Sequence, residues 1–443
     1  MQNQQEIERL KNIASDILKE SQAQGANAAE AVLNSGSGLS VTARLGDVET
    51  IEHNRDQGLA VTVYFGQKKG SASSSDLAPD SIKETVKAAC SIAQYASEDE
   101  FSGLPEQALL ATEFPDLDLY HPWAITTDQA VELAMRCENV ARTFHPEIKN
   151  SEGASVGTYD SIKVMANSLG FNQGSATTRH SLSCSVIGQR GDSMQRDYWY
   201  SVARNADDLE NAEVIGEKAA QRTISRLEGR SLSSRQCPVI FAAEIASGLL
   251  SSLISAVSGG SLYRKSTFLL DALGKQIFPE FVHIHEQPYL LKALGSGAYD
   301  GEGVQTKNRD IVSQGILESY VLSCYSARKL GLTTTGNAGG IRNLTIDSGS
   351  DDFDALLKKM DTGLLVTEMM GQGINIVTGD YSRGAAGFWV EQGKIQYPVE
   401  EITIAGNLKD MFLNLVAIGN DIDLRSNIRT GSILLEQMSI AGQ

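Results

Sequence analysis

The chain has 443 residues, of which 41% are hydrophobic and 21% charged, a composition that supports a folded core large enough for two or three domains. Its net charge is −17, from 55 acids against 38 bases, and the densest basic clusters ("GQKKGS" and "YRKS") hold two charges each, so binding to a phosphate backbone is disfavoured. No apolar run reaches the length of a membrane span, and the five cysteines lie far apart without a CxxC pair, as buried small apolar residues of a cytoplasmic chain would.

The opening "MQNQQEIERLKNIASDILKE" lacks the basic-then-apolar order of a secretion signal. It predicts an amphipathic helix with Ile7, Leu10, Ile13 and Ile17 on one face. Residues 29–75 alternate short apolar runs with glycine turns and predict a β-meander, followed by a helix over "PDSIKETVKAACSIAQYA". An acidic, irregular link from Ser97 to Trp123 carries three of the nine prolines. The same order then recurs, with a helix from Thr127 to Thr143, strands from Ser151 to Ala203 and a helix near Asn211–Glu228. "VYFGQKKG" (63–70) and "SVIGQRGD" (185–192) echo each other, each reading as a hairpin turn. The expected organisation is an N-terminal α+β domain over 1–230, with a candidate repeat of 1–97 and 124–230, and a C-terminal β-rich domain over 235–443. The fold class is α+β, two lobes with mostly antiparallel sheets and flanking helices.

In the second half, Gln314-Gly315 and Gln392-Gly393 predict hairpin turns. A final helix is expected from Asn407, capped with Asp410, carrying a stripe of Leu408, Met411, Phe412, Leu415 and Val416 and stopping at Gly419.

No GxxxxGK[ST] or GxSxG motif is present, and "GQGINIVTG" and "GNAGGIR" read as tight turns or close backbone approaches. "VHIHEQP" places His283, His285 and Glu286 together. Residues i and i+2 of a strand share a face, so two imidazoles could hold a metal, although an exposed polar segment before Pro288 is the favoured reading. In "VIFAAEIASGLLSSL" a strand runs into an apolar helix with one acid, Glu244, suited to capping backbone N–H groups or pairing with an arginine.

The runs "SGGSLYRKSTFLLDALGKQI", "CYSARKLGLTTTGNAGGIRN" and "TEMMGQGINIVTGDYSRGAAGFWVEQGKIQYPVEEITIAGNLKDM" resemble the TldD/PmbA family, and the PmbA (TldE) branch in particular. That resemblance implies a two-lobed α+β fold and a peptidase acting in peptide maturation or proteolysis; an older description as a modulator of DNA gyrase also attaches to the family. In the TldD branch an HExxxH helix and a late cysteine hold zinc. On this sequence those positions fall at Ala243, Glu244, Gly248 and Thr430, so the resemblance implies no metal in this chain, a glutamate retained without a catalytic role, and zinc in a TldD-like partner subunit. Histidines at i and i+5 lie about 140° apart on a regular α-helix, so the metal-binding version needs a distorted turn. Unfolded peptides are the implied substrates, held in a cavity for which Asn337, Arg342 and Arg383 are candidates, with glycine-dense "GNAGGI" and "SRGAAG" as strands approached by peptide backbone. A homodimer is expected for the isolated chain. A self-sufficient metallopeptidase using His283, His285 and Glu286, and a gyrase-modulating binding protein, are the alternatives.

Overall fold

The computed structural model describes residues 2–442. Leu10, Ala14 and Ile17 bury one face of helix α1 (Gln2–Ala23) against the first sheet, with Ile7 and Ile13 packed at the margin. The chain continues as β1 (Ala28–Arg44), β2 (Asp47–Phe65), β3 (Lys68–Ser74) and α2 (Pro79–Tyr95). After the link come α3 (Thr127–Thr143), β4 (Ile148–Asn167), β5 (Asn172–Arg190), β6 (Ser193–Ala203) and α4 (Ala212–Ser225). The six strands form one antiparallel sheet of order β3-β2-β1-β4-β5-β6, so the order helix, three strands, helix occurs twice and the first strands of each set meet in the middle. The central ladder pairs Glu30–Ala43 with Ala154–Asn167. Here the Tyr159 ring lies across β1; a Cβ on Gly36 would stand 2.2 Å from its hydroxyl, so a side chain there would have to push the ring aside.

The echo between "VYFGQKKG" and "SVIGQRGD" does not survive. Gly66-Gln67 forms the β2–β3 turn, whereas Gly188-Gln189 lies within β5 and the turn follows at Gly191-Asp192. The second ladder runs three residues further before it reverses.

The link over 97–123 has one 3₁₀ turn (Gln107–Leu109) and is fastened to the second lobe. The Arg328 guanidinium donates to the carbonyls of Phe101, Gly103 and Leu104, and Tyr325 Oη donates to Asp99 (2.7 Å).

The C-terminal lobe comprises β7 (Arg235–Phe241), α5 (Ala243–Ala256), α6 (Gly259–Tyr263), β8 (Ile284–Glu286), β9 (Arg309–Ser313), β10 (Ile316–Leu317), α7 (Cys324–Leu330), β11 (Leu344–Ile346), α8 (Phe353–Met360), β12 (Gly363–Met370), β13 (Asp380–Glu391), β14 (Lys394–Asn407), α9 (Leu408–Leu413), β15 (Leu415–Ile418), β16 (Ile428–Arg429) and β17 (Ile433–Ala441). It holds a six-stranded sheet, β14-β13-β12-β7-β17-β15, and a five-stranded sheet, β10-β9-β8-β11-β16. The β12–β7 and β11–β16 pairs are parallel and the other ladders of these sheets antiparallel. Both expected hairpin turns are present, with positive φ at Gln314 and Gly315 and at Gln392 and Gly393, as two-residue turns between twisted strands require. All five cysteines are buried and unpaired, and no helix among the described residues is long and apolar enough to cross a membrane.

The final helix is shorter than its stripe implies. It ends at Leu413, and Leu415–Ile418 is a strand paired with β17, which buries Leu415 and Ile418 and exposes Val416. Its cap is the Asn407 side chain accepting from Lys409 N–H (3.1 Å), without Asp410. An open place beside β17 outweighs helical periodicity over these four residues. The strand reading of the two glycine-dense segments holds only for the second, whose edges are already taken, while the tight-turn reading holds for the first. "GNAGGI" is a loop with positive φ at Gly336, Gly339 and Gly340, and "SRGAAG" lies inside β13, paired on both sides. A Cβ on Gly387 would stand 1.9 Å from the Leu365 carbonyl, so close approach there serves the sheet itself.

Candidate functional site

Helix α5 starts without a capping side chain of its own. Its Ala243 N–H donates to Ser432 Oγ (3.1 Å), and Ser432 is fixed by Asp421, to which its N–H (2.9 Å) and hydroxyl (2.6 Å) both donate. The first turn thus borrows its cap from the segment entering β17. Glu244 sits in that turn, where an acid complements the helix dipole, and its Oε1 accepts from Arg222 Nη1 of α4 at 2.7 Å.

Arg222 belongs to a larger array. Its Nε and Arg226 Nη1 each lie 3.3 Å from opposite oxygens of the buried Asp197 on β6, and Arg226 also pairs with Glu368 on β12. Burial alone would lower the Arg222 guanidinium, but the Asp197 and Glu244 carboxylates hold it above its ordinary value. Arg425, held to Asp423 at 2.8 Å, stacks 4.0 Å from the Trp199 ring centre, against which Arg222 also packs. This ion-pair network fastens the first sheet and α4 to α5 and β12, and Glu244 is one of its acids.

The other positions of the implied metal set are equally plain. Ala243 is buried and has no donor side chain. Gly248 opens onto free space, with no atom within 4 Å of a would-be Cβ. Thr430 is fully buried, its hydroxyl donating to the Gly431 carbonyl (2.8 Å). Helix α5 packs against β16, so the frame that would join the helix to the late ligand is kept. It is regular α-helix throughout, without a π turn. These residues do not fit a zinc ion: three positions offer no ligand, and the remaining carboxylate is engaged by a guanidinium. Replacing Glu244 by glutamine is therefore expected to leave any peptidase activity of an assembled enzyme within about twofold, against the 10²–10⁴ typical of a lost general base, while lowering thermal stability modestly; steady-state rates and melting curves check both.

Asn337 and Arg342 come together, around Glu286. Asn337 Nδ2 (2.8 Å) and Arg342 N–H (2.7 Å) both donate to Glu286 Oε1, and Arg309 Nε donates to Oε2 (2.8 Å). The Arg342 guanidinium is turned inward, donating to the Tyr299 carbonyl at 3.0 Å. Arg383 lies elsewhere, on β13 opposite Ile404, with its Nε buried and unpartnered.

Asn337 also lines an open cleft of about 570 Å³ in which three sequence motifs meet: 258–263, 323–326 and 337–340. Helices α6 and α7 form its walls, each capped by a serine (Ser258, Ser323), and Gly339 and Gly340 present bare backbone. A Cβ on Gly259 would stand 2.2 Å from Ser326 Oγ, so glycine lets the two helices touch. Replacing Gly259 by alanine is expected to push α6 from α7 and cost about 1–3 kcal/mol of stability, with the gap visible in a crystal structure of the variant. No feature of the composition points to this cleft.

The "VHIHEQP" segment splits by strand alternation. Glu286 is buried among Arg309, Asn337 and Arg342, whereas His283 and His285 face outward with Asp310 and Asp347. Glu286 therefore cannot share a ligand set with the histidines. Burial would lower the His283 imidazole, but Asp347 and Asp310, one on each ring nitrogen, raise it above the ordinary histidine range.

Three family models match the chain, described as PmbA/TldA metallopeptidase domain 1 (29–93), central domain (120–227) and C-terminal domain (234–442). The Metalloprotease PmbA of Escherichia coli O157:H7 is 54% identical over 94% of this chain and 92% of its own length. The chain belongs to the PmbA/TldD family. A PmbA homologue from Haemophilus influenzae is 50% identical over the same shares, and a TldD homologue from Buchnera aphidicola is 22% identical over 88% of this chain and 87% of its own. Among solved structures, a Bacteroides thetaiotaomicron protein described as a proposed modulator of DNA gyrase superposes with a TM-score of 0.93 at 30% identity, covering 98% of this chain and 99% of its own. TldE from Thermococcus kodakarensis shares the fold, with a TM-score of 0.84 at 21% identity over 97% and 100%. The α+β, two-lobed class expected of the PmbA/TldD family is thus the class observed.

Proposed function

We propose that this chain is the zinc-free, PmbA/TldE-type subunit of a two-part metalloprotease, in which a TldD-like partner supplies the zinc and the peptide-cleaving chemistry. The observation that carries this reading is the set Ala243, Glu244, Gly248 and Thr430: two residues without a donor side chain, a threonine hydroxyl that is a poor zinc ligand, and a glutamate whose carboxylate is bound to Arg222 at 2.7 Å. The family supports peptidase-type function, and relatives named for both PmbA and TldD lie within it. On this reading the substrates are unfolded peptides, the compartment is the cytoplasm, as five unpaired buried cysteines favour, and the isolated chain pairs with itself as a homodimer. The test mixes the purified chain with and without a TldD-like subunit and follows cleavage of an unfolded peptide. Chelator-sensitive cleavage is expected of the mixture; comparable cleavage by this chain by itself overturns the proposal. The gyrase reading rests on the description of the Bacteroides relative, and saturable gyrase binding at physiological salt would be needed to revive it.

A further inference from the structure

We propose that the chain carries a divalent transition-metal site of its own on the outer face of the five-stranded sheet, formed by His283, His285 and Asp310, with Asp347 positioning His283. The donor atoms of His283, His285 and Asp310 all lie within 4.8 Å of one another. His285 and Asp310 project from neighbouring strands, directly opposite each other across the β8–β9 ladder; His283 immediately precedes β8, and Asp347 follows β11, its N–H donating to the His283 carbonyl. The inward alternates, Ile284, Ile311 and Ile346, are fully buried, which anchors the strands that carry the outward groups. Such a set is held by sheet backbone and is largely preorganised.

The contact geometry fits a ligand shell. His283 Nδ1 lies 2.7 Å from Asp347 Oδ2, the carboxylate–imidazole contact that fixes ring orientation in metal sites. That leaves Nε2 facing Asp310 Oδ1 at 2.9 Å. Two ligands held about 2.0–2.1 Å from a tetrahedral ion stand about 3.3 Å apart, so a small side-chain rotation opens the place. The His285 ring stands nearly perpendicular to His283, at 86° and 4.8 Å between centres, which lets both present a nitrogen without stacking. Two imidazoles and one carboxylate suit Zn²⁺, Co²⁺ or Ni²⁺ and not the oxygen-seeking Mg²⁺ or Ca²⁺. His283 and Asp310 are 33% and 51% exposed in their side chains, so a fourth position is open to water or to a ligand from a partner surface. This site is independent of the helix at Glu244 and of the proposed TldD-like partner.

The experiment uses the tag-free, chelator-treated full chain titrated with Zn²⁺ by calorimetry and with Co²⁺ by visible absorption. One equivalent is expected to bind, with tetrahedral cobalt bands, and to be weakened tenfold or more by His285→Ala or Asp310→Asn. Asp347→Asn should weaken binding about 10–100-fold while keeping the stoichiometry, and Glu244→Gln should leave it unchanged. Far-UV circular dichroism confirms that each variant is folded. Absence of saturable binding, with His283→Ala changing only the melting temperature, would show that His283 merely bridges two carboxylates and overturns the proposal. Binding that survives both His285→Ala and Asp310→Asn places the metal elsewhere and overturns it as well.

Discussion

Replacing Glu286 by alanine is expected to destabilise the C-terminal lobe by about 3–5 kcal/mol. The residue is 2% exposed, and its carboxylate accepts from Arg309, Asn337 and the Arg342 backbone at once. Arg309 is itself largely buried; burial depresses its guanidinium below the ordinary arginine range, and Glu286 offsets part of that effect. Removing the carboxylate strands a cation in a low-dielectric interior and frees two further donors. Glutamine would keep an acceptor for Asn337 and Arg342 but not the charge, so its cost should fall between alanine and the natural residue. Urea unfolding followed by fluorescence of Trp389, with Trp123 and Trp199 replaced by phenylalanine throughout, measures the series, and a loss below about 1 kcal/mol for alanine would show that water reaches Arg309.

The second large effect is expected for Leu253→Ala, at about 2–5 kcal/mol. Leu253 is fully buried on the inner face of α5 among the residues of the main C-terminal core, Val239 and Phe241 of β7 included. Because α5 has no capping side chain of its own, packing is what seats it. The alanine variant leaves a cavity under the helix while keeping Arg222 and Glu244 intact. Its melting temperature should therefore fall well below that of Glu244→Gln, and equal losses in the two would show that the ion pair, not the apolar face, holds the helix.

Much of this fold was readable because its signals are local. The apolar alternation of β1 and the paired positive-φ turns at 314–315 and 392–393 depend on neighbouring residues. Leu415 and Val416 misled because their spacing fits a helix, while the vacancy beside β17 that makes them a strand is set by residues 433–435. The same division holds at the sites. Glu244 reads correctly as an acid suited to an arginine, yet Arg222 could be named only once α4 was placed beside α5. "VHIHEQP" supplied two members of the outward cluster and one acid that points inward, since the carboxylates that meet His283 arrive from Asp310 on β9 and from Asp347 just after β11. Pairing across strands carries no mark in a single sequence.

The central ladder between β1 and β4 has a consequence for unfolding. Each is the innermost strand of its own set of three, and together they pair continuously from Glu30 to Ala43. Neither set can melt without exposing an inner edge of the other along its whole length. Hydrogen exchange should accordingly find one cooperative unit across residues 28–203, with amides of both central strands opening at the same rate despite lying more than a hundred positions apart.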